Sequence, residues 1–284
     1  MLSYRHGYHA GNHADVLKHT VQIQCIDYLS RKETPFWIID THAGAGGYEL
    51  NSAFAQKNRE YQSGIERIHQ TSNLNSAALL RYRDLVRSFN PESTDTTQAL
   101  SYYPGSPQLS QALLRKQDKL KLFELHSNEA PDLQNRMSRH RRQVQLVHGD
   151  GLAGLKALLP PAPRRALTLI DPAYELPDDY ADVIKALQSA CTRFATGVYA
   201  LWYPVLDKPA VKTLVPQLCD TLGLPWLSAR LDICDPSLGG MTGSGMFVIN
   251  PPWTLQQSLA EALPEMVSLL GQDNKASYSL TASE

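Results

Sequence analysis

A chain of 284 residues, 43% hydrophobic and 19% charged, carries enough apolar material for a sizeable core, as one large domain or one domain with an insertion. Its net charge of −1 excludes binding of nucleic acid by bulk charge alone, so any such partner must be recognised through shape and a pocket. No apolar stretch approaches the ~20 residues that cross a bilayer, the first residues lack a signal peptide's apolar run, and Cys25, Cys191, Cys219 and Cys234 form no CxxC pair, which together read as a cytoplasmic protein with reduced thiols and no membrane partner.

The predicted elements alternate between helix and strand, as a parallel sheet with crossover helices requires. A first helix starts at Asn12 or His13 and runs to about Ser30, with Val16, Thr20, Ile23 and Ile26 or Asp27 marking its rows. Phe36 to Asp40 is the first buried strand. Residues 50–102 follow, far more than one crossover needs, with the helical periodicity of Ala77 to Val86 and few strand signals. They read as a helical insertion on the rim at the strands' carboxyl ends, a lid or partner surface rather than core. Ser106 as N-cap with Pro107 at the first helical position opens the next helix. Strands follow at Leu120 to Glu124, Gln143 to Val147, Ala166 to Ile170 and Val198 to Tyr203. A helix capped by Asp178 or Asp179 and running to about Ser189 lies between the last two. Trp226 to Ile233 and Met246 to Asn250, joined through the Gly-rich stretch 239–245, form an antiparallel pair at the sheet's edge. The tail after Asp273 reads as frayed.

Charge is unevenly spread. Residues 210–284 hold three basic against seven acidic residues, leaving 24 basic and 21 acidic elsewhere. Arg136, Arg139, His140, Arg141 and Arg142 cluster, and Arg164 adjoins Arg165. Each cluster is either a solvated helix end or loop, or a rim facing phosphates.

Four strand ends carry chemistry. The loop Asp40-Thr-His-Ala-Gly-Ala-Gly-Gly47 lets backbone approach a ligand, although it departs from the GxGxxG fingerprint. Glu124 suits a ribose diol, because a carboxylate accepts from both hydroxyls. Asp150 can accept from an adenine amine, and Gly151 leaves an amide open. Asp171-Pro-Ala-Tyr174 joins an acid, a rigid carbonyl and an aromatic ring, a set suited to a flat base with an exocyclic amine. Such an amine is a poor nucleophile, since its lone pair is delocalised into the ring. Hydrogen bonds to the Asp171 carboxylate and the Pro172 carbonyl would draw the nitrogen toward tetrahedral geometry, and Asp171 could then accept its proton. Tyr174 would stack on a base that has left its helical stack. His9, His13 and His19 partly fit metal-ligand spacing but lack a fourth partner, so no metal is expected.

The order Gly-rich loop, Glu, Asp and Asp-Pro-x-Tyr resembles class I S-adenosylmethionine-dependent methyltransferases. More specifically, Met1-Leu-Ser-Tyr-Arg-His6, His9 to His19, Asp40 to Gly46, Tyr102-Tyr-Pro-Gly-Ser-Pro107, Glu124-Leu-His126, Phe194 to Gly197 through Pro204, and Gly245 through Trp253 resemble the RlmJ-type 23S ribosomal RNA adenine-N6 methyltransferases. The resemblance covers residues 1 to about 253. It implies a Rossmann-like fold, α/β with a mixed, mostly parallel sheet and helices on both faces. The methyltransferase domain would be 1–49 and 103–284, including an N-terminal substrate-facing segment 1–12, with residues 50–102 as a small inserted helical subdomain. It implies methylation of adenine 2030 on protein-free or early-assembly 23S ribosomal RNA by a monomer. Carried over by position, S-adenosylmethionine would meet His19, Lys18, His42, Gly44, Gly46, Ser106, Glu124, Asp150, Gly151 and Asp171, with Lys18 and His19 facing the methionyl carboxylate and His42 and Ser106 closing over that end. Asp171, Pro172, Tyr174 and Tyr4 would face the substrate. Ala173 replaces the family's second proline, which either leaves the chemistry in place on a less rigid loop or weakens the enzyme. A DNA adenine methyltransferase shares the tetrapeptide but should carry a larger target-recognition region. A non-catalytic RNA-binding or assembly protein on the same fold would have no use for the acids.

Overall fold

In the computed structural model, which describes residues 5–92 and 96–283, every buried apolar run of the sequence becomes a strand with alternate side chains on opposite faces. In chain order the strands are β1 (Trp37–Asp40), β2 (Gly47–Glu49), β3 (Tyr102–Pro104), β4 (Lys119–Glu124), β5 (Val144–His148), β6 (Ala166–Ile170), β7 (Val198–Val205), β8 (Trp226–Asp232), β9 (Gly243–Ile249) and β10 (Ser277–Ala282). Eight of them form one sheet in the order β10-β8-β9-β7-β6-β1-β4-β5. From β5 to β7 neighbouring strands are parallel, and β9, β8 and β10 add antiparallel pairs. The tail is therefore not frayed: Ser277 to Ala282 pair with Asp232 to Leu227 and complete the sheet's edge. Its sequence signal is weak because an edge strand with mostly exposed side chains lacks an apolar face.

Helices cover both faces. Ile38, Leu122 and Leu169 point into one apolar cluster with α1 (His13–Ser30), α5 (Ser106–Leu113) and α10 (Leu255–Leu270). The next residues along the same strands, Ile39, Phe123 and Ile170, point into a second cluster with α7 (Gly151–Leu158), α8 (Asp179–Arg193) and α9 (Pro209–Leu222). The helix α6 (Ala130–Met137) joins β4 to β5. The side chain of Asn12 caps α1 by accepting from Ala14 and Asp15 N–H groups at 3.0 and 3.1 Å. α1 is buried nearly all round, and its buried residues include Asp15, Lys18, His19 and Gln22. Charges in such a place persist only with partners, so this helix marks where the polar chemistry lies.

The interval between β1 and β4 holds α2 (Ala53–Asn58), α3 (Ile65–Gln70) and α4 (Ala77–Ser88), bracketed by the antiparallel pair β2–β3. These helices do not stand apart from the core as the lid or partner surface read from sequence would. Leu79, Tyr82 and Val86 are fully buried in the same cluster as α1 and α10, each such side chain worth roughly 1.5–3 kcal/mol of burial. Glu265 of α10 accepts from Asn75 and Ser76 N–H groups at 2.9 Å each, tying the segment down further. The amphipathic spacing was legible, but not which surface would receive its apolar row.

Candidate active site

At the carboxyl ends of β1, β4, β5 and β6, where the strand order reverses, the structure opens a cavity of about 570 Å³. Both the position and the size suit a small-molecule site, which typically spans ~300–1,000 Å³. Its wall includes Lys18, His19, His42, Gly44, Ser106, Glu124, Asp150, Gly151, Asp171 and Pro172, most of the residues expected from sequence. Glu124 accepts from Gly44 N–H and His126 N–H, both at 2.6 Å, so its carboxylate is aimed by the backbone of two loops. Asp150 caps α7 through Oδ1, which accepts from Leu152 and Ala153 N–H groups at 2.8 and 3.2 Å. The residue itself lines the cavity. His42 is held by a 2.7 Å contact between Nδ1 and Thr41 Oγ1, and burial lowers its pKa, so a neutral ring faces the cavity.

The densest electrostatics lie on α1. Lys18 Nζ donates to Asp171 Oδ2 at 2.5 Å and sits 2.8 Å from Asp15 Oδ1. The other oxygen of Asp15 accepts from Gly11 N–H at 2.8 Å and lies 2.8 Å from His6 Nε2. Burial alone would push Asp15 up, but the His6 ring and the Lys18 ammonium beside it hold its carboxyl well below the usual range. Burial alone would likewise lower Lys18, yet Asp15 and Asp171 raise it above an ordinary ammonium. The result is a fixed cation between a buried structural acid and the loop acid Asp171. Beside it, His19 is pushed down to about 3 by burial and contacts Tyr103 Oη through Nδ1 at 2.6 Å. Its Nε2 is buried without a hydrogen-bond partner among the described residues and lies 3.8 Å from Asp15 Oδ1.

Several expectations are corrected. Tyr174 does not reach the cavity. Its ring is 6% exposed and stacks on Tyr180 at 4.4 Å, and its hydroxyl donates to the Trp202 carbonyl at 2.9 Å. A ring with both its face and its hydroxyl satisfied in the core is held away from a base. Gly46 does not line the cavity either. Its φ of +82° and the 2.8 Å approach of Leu133 to any Cβ there make it a turn and packing residue. Gly151 does line the cavity, but a Cβ on it would sit 2.1 Å from Thr41 O, so crossing of α7 over β1's loop also demands glycine. Ser106 is not the N-cap of α5. Gly105 holds that place, and the Ser106 hydroxyl donates to Asp40 Oδ2 at 2.6 Å. Burial pushes Asp40 up to about 6. Neither Asp178 nor Asp179 caps α8 with a conventional side-chain bond; Asp179 instead accepts from Leu176 N–H at 2.9 Å. Tyr4 lies outside the described residues.

Sequence reasoning missed His6, Tyr48, Leu125, Leu152 and Leu176, all of which line the cavity. Leu125 and Leu176 are 52% and 60% exposed. Leu125 and Leu152 each directly follow a singled-out strand-end residue, and that adjacency was the available signal. His6 and Tyr48 come into place only through the η-turn His6–Tyr8 and the β2–β3 pair. Of the basic clusters, Arg136 lies in α6 and donates to Tyr102 Oη at 2.8 Å, whereas Arg139 to Arg142 precede β5 and Arg164–Arg165 precede β6, at the sheet's amino end, away from the cavity. Arg165 donates to the Thr34 and Leu29 carbonyls, closing the end of α1. His9 pairs with Glu60 at 2.9 Å. Among the described residues, no group of three or more His, Cys, Asp or Glu side chains is placed to hold a metal ion, and no helix is long and apolar enough to cross a membrane.

Comparison with known proteins agrees with this geometry. The family model described as "Ribosomal RNA large subunit methyltransferase D, RlmJ" matches residues 33–281. The chain is 46% identical over 271 residues to the "Ribosomal RNA large subunit methyltransferase J" of Escherichia coli strain K12, covering 95% of this chain and 94% of that one. It is 42% identical to the protein of the same name from Haemophilus influenzae, covering 99% and 98%. A crystal structure of a Legionella pneumophila protein, 32% identical, superposes with a TM-score of 0.88 over 97% of this chain and 98% of that chain. With a family model over residues 33–281 and two such relatives over nearly the full length, the chain belongs to the RlmJ family of large-subunit ribosomal RNA methyltransferases.

Proposed function

We propose that the chain transfers a methyl group from S-adenosylmethionine to the N6 amine of an adenine in large-subunit ribosomal RNA. The single observation that carries this reading is the convergence of Glu124, Asp150, His19 and Asp171 on one strand-end cavity. The donor, when bound, supplies an electrophilic methyl group on a sulfonium. Glu124 would accept from its ribose hydroxyls and Asp150 Oδ2 from its adenine amine, with Leu125 and Leu152 against the ring. The neutral His19 and His42 would face its amino-acid end.

On the substrate side, Asp171 Oδ2 is taken by Lys18, which leaves Oδ1 and the Pro172 carbonyl as acceptors. The target amine donates to both, which localises its lone pair and aligns it for in-line attack. Much of the acceleration comes from that alignment. Asp171 Oδ1 then takes the proton directly or through water, and Lys18 keeps the carboxylate fixed while it does so. The base must leave its stack to reach this depth. Tyr174 supports the Asp-Pro turn from behind, in the left-handed backbone region at φ +52°. The segment 50–102, set beside the cavity by β2–β3, is an insertion into a methyltransferase domain formed by the rest of the chain. The protein acts as a cytoplasmic monomer on RNA free of ribosomal proteins or early in assembly.

Labelled S-adenosylmethionine should deliver its methyl to undermodified 23S ribosomal RNA and not to DNA, with N6-methyladenine as the product. Incorporation into DNA alone would overturn the reading in favour of a DNA enzyme. Incorporation into neither would favour a binding protein on this fold.

A further inference from the structure

The turns that lead into β1, β4, β5 and β6 lie side by side along the sheet's amino end, because those strands are neighbours. Residues 31–36, 114–119, 138–143 and 160–165 hold ten basic residues against two acids, Glu33 and Asp118. A chain of net charge −1 thus concentrates a local +8 on one edge. The turns are physically joined. Lys119 Nζ donates to the Arg142 carbonyl at 2.6 Å, Gln143 Nε2 to the Arg115 carbonyl at 2.7 Å, and Arg115 Nη1 to the Lys32 carbonyl at 2.7 Å.

Arg115 and Arg165 are structural there. Arg115 pairs with buried Asp118 at 2.8 Å, neutralising one of the two acids, and both arginines bond carbonyls at the end of α1. By contrast Arg31, Lys32, Lys116, Arg142 and Arg164 are exposed and have no carboxylate partner within 4.0 Å among the described residues. At one margin Trp253 is 75% exposed, with the Arg31 guanidinium 5.9 Å from its ring centre. A surface evolved only for solubility mixes charge signs; a single-sign band beside an open aromatic ring offers phosphates a counter-charge and an unpaired base a stacking face.

We infer that this edge is a second RNA-binding face, which grips the phosphodiester backbone of ribosomal RNA distant from the target adenine while the cavity at the opposite end of the strands holds the base. The inference rests on the ribosomal RNA reading above. Four to six residues of strand separate the two ends, about 15–20 Å, so a short hairpin seated at the cavity leaves this face empty and a longer folded RNA reaches it.

The test compares the full chain with an Arg31→Gln/Lys32→Gln/Lys116→Gln/Arg142→Gln/Arg164→Gln variant, using a hairpin around the target adenine and a long fragment of large-subunit ribosomal RNA. Affinity is read by fluorescence anisotropy at several salt concentrations, and methyl transfer is read alongside. The variant should bind the long RNA about tenfold or more weakly, with a salt slope shallower by about 2–4, and bind the hairpin within about twofold. A companion with Lys at positions 31, 142 and 164 (Arg31→Lys, Arg142→Lys, Arg164→Lys) should keep the long-RNA affinity, which separates charge from folding. Unchanged binding of the long RNA, or equal loss for both RNAs, overturns the inference. Absence of methyl transfer by the unaltered chain would refute the catalytic reading instead, and the binding comparison would still decide the role of this face.

Discussion

Replacing Lys18 by Met isolates the ion cluster on which the site is built. The side chain of Lys18 is 5% exposed and bridges Asp15, 1% exposed, to Asp171, 15% exposed. Met preserves the volume and removes the charge, so the main loss is a buried carboxylate left without its cation. Truncating one partner of a buried pair typically costs about 3–5 kcal/mol. Asp15 keeps His6 and the Gly11 N–H, and Asp171 can be partly rehydrated, so the lower half of that range, about 3 kcal/mol, is the expected loss. For a chain of 284 residues, this should lower Tm by about 5 °C. The double change Asp15→Asn/Lys18→Met removes the orphaned charge as well and should recover stability, with a coupling energy of about 1–3 kcal/mol in the cycle. Urea unfolding of the four proteins at pH 7, with Tm by calorimetry, supplies the values. A single variant within about 1 kcal/mol of the parent, or strict additivity in the cycle, would refute the claim that Lys18 neutralises Asp15.

Four further outcomes are expected. Asp171→Asn should lower the rate of methyl transfer by about 10²–10⁴ while cofactor affinity by calorimetry changes little; a fall of less than about tenfold would remove Asp171 as the acceptor. Ala173→Pro should leave turnover within about threefold, since Ala173 is exposed and both proposed acceptors, Asp171 Oδ1 and the Pro172 carbonyl, precede it; a large gain would mean that the natural loop is too loose. Tyr174→Phe should lower stability by about 1 kcal/mol through loss of the bond to the Trp202 carbonyl and leave the methylation rate unchanged, so a selective loss of rate would return Tyr174 to the substrate. Stability should fall on acidification from pH 7 to pH 5. His13 and His19 are held by burial at about 4 and about 3, against about 6.5 unfolded, so below pH 6.5 the unfolded chain takes up protons first. At pH 5 that removes roughly 2 kcal/mol for each; Asp40, raised to about 6 by burial, returns about 1 kcal/mol. The raised pKa of His9, hydrogen-bonded to Glu60, offsets a further part, and a urea midpoint that does not fall between pH 7 and pH 5 would contradict the neutral burial of His13 and His19.

The parallel core and the order of its chemistry were legible in the residues alone. Strands β1, β6 and β7 are near-continuous apolar runs, β4 and β5 intersperse apolar residues with Lys and Gln, and each acid at or just beyond a strand's end is carried to the same sheet edge by topology alone. Glu124, Asp150 and Asp171 were therefore readable without coordinates. Other features depend on contacts between residues far apart in the chain and came only with the packed fold. The pairing of Lys18 with Asp171 spans 153 residues, and that of Ser106 with Asp40 spans 66. The inward turn of Tyr174 is set by Tyr180 and Trp202, and the edge strand β10 by hydrogen bonds to β8 rather than by any apolar pattern of its own. The basic residues were visible as clusters, but their place at the end of the sheet away from the cavity follows from strand direction and order. Local periodicity reports which residues avoid water; it carries no information on which distant partner a buried charge will find, and that choice is made only when the layers pack.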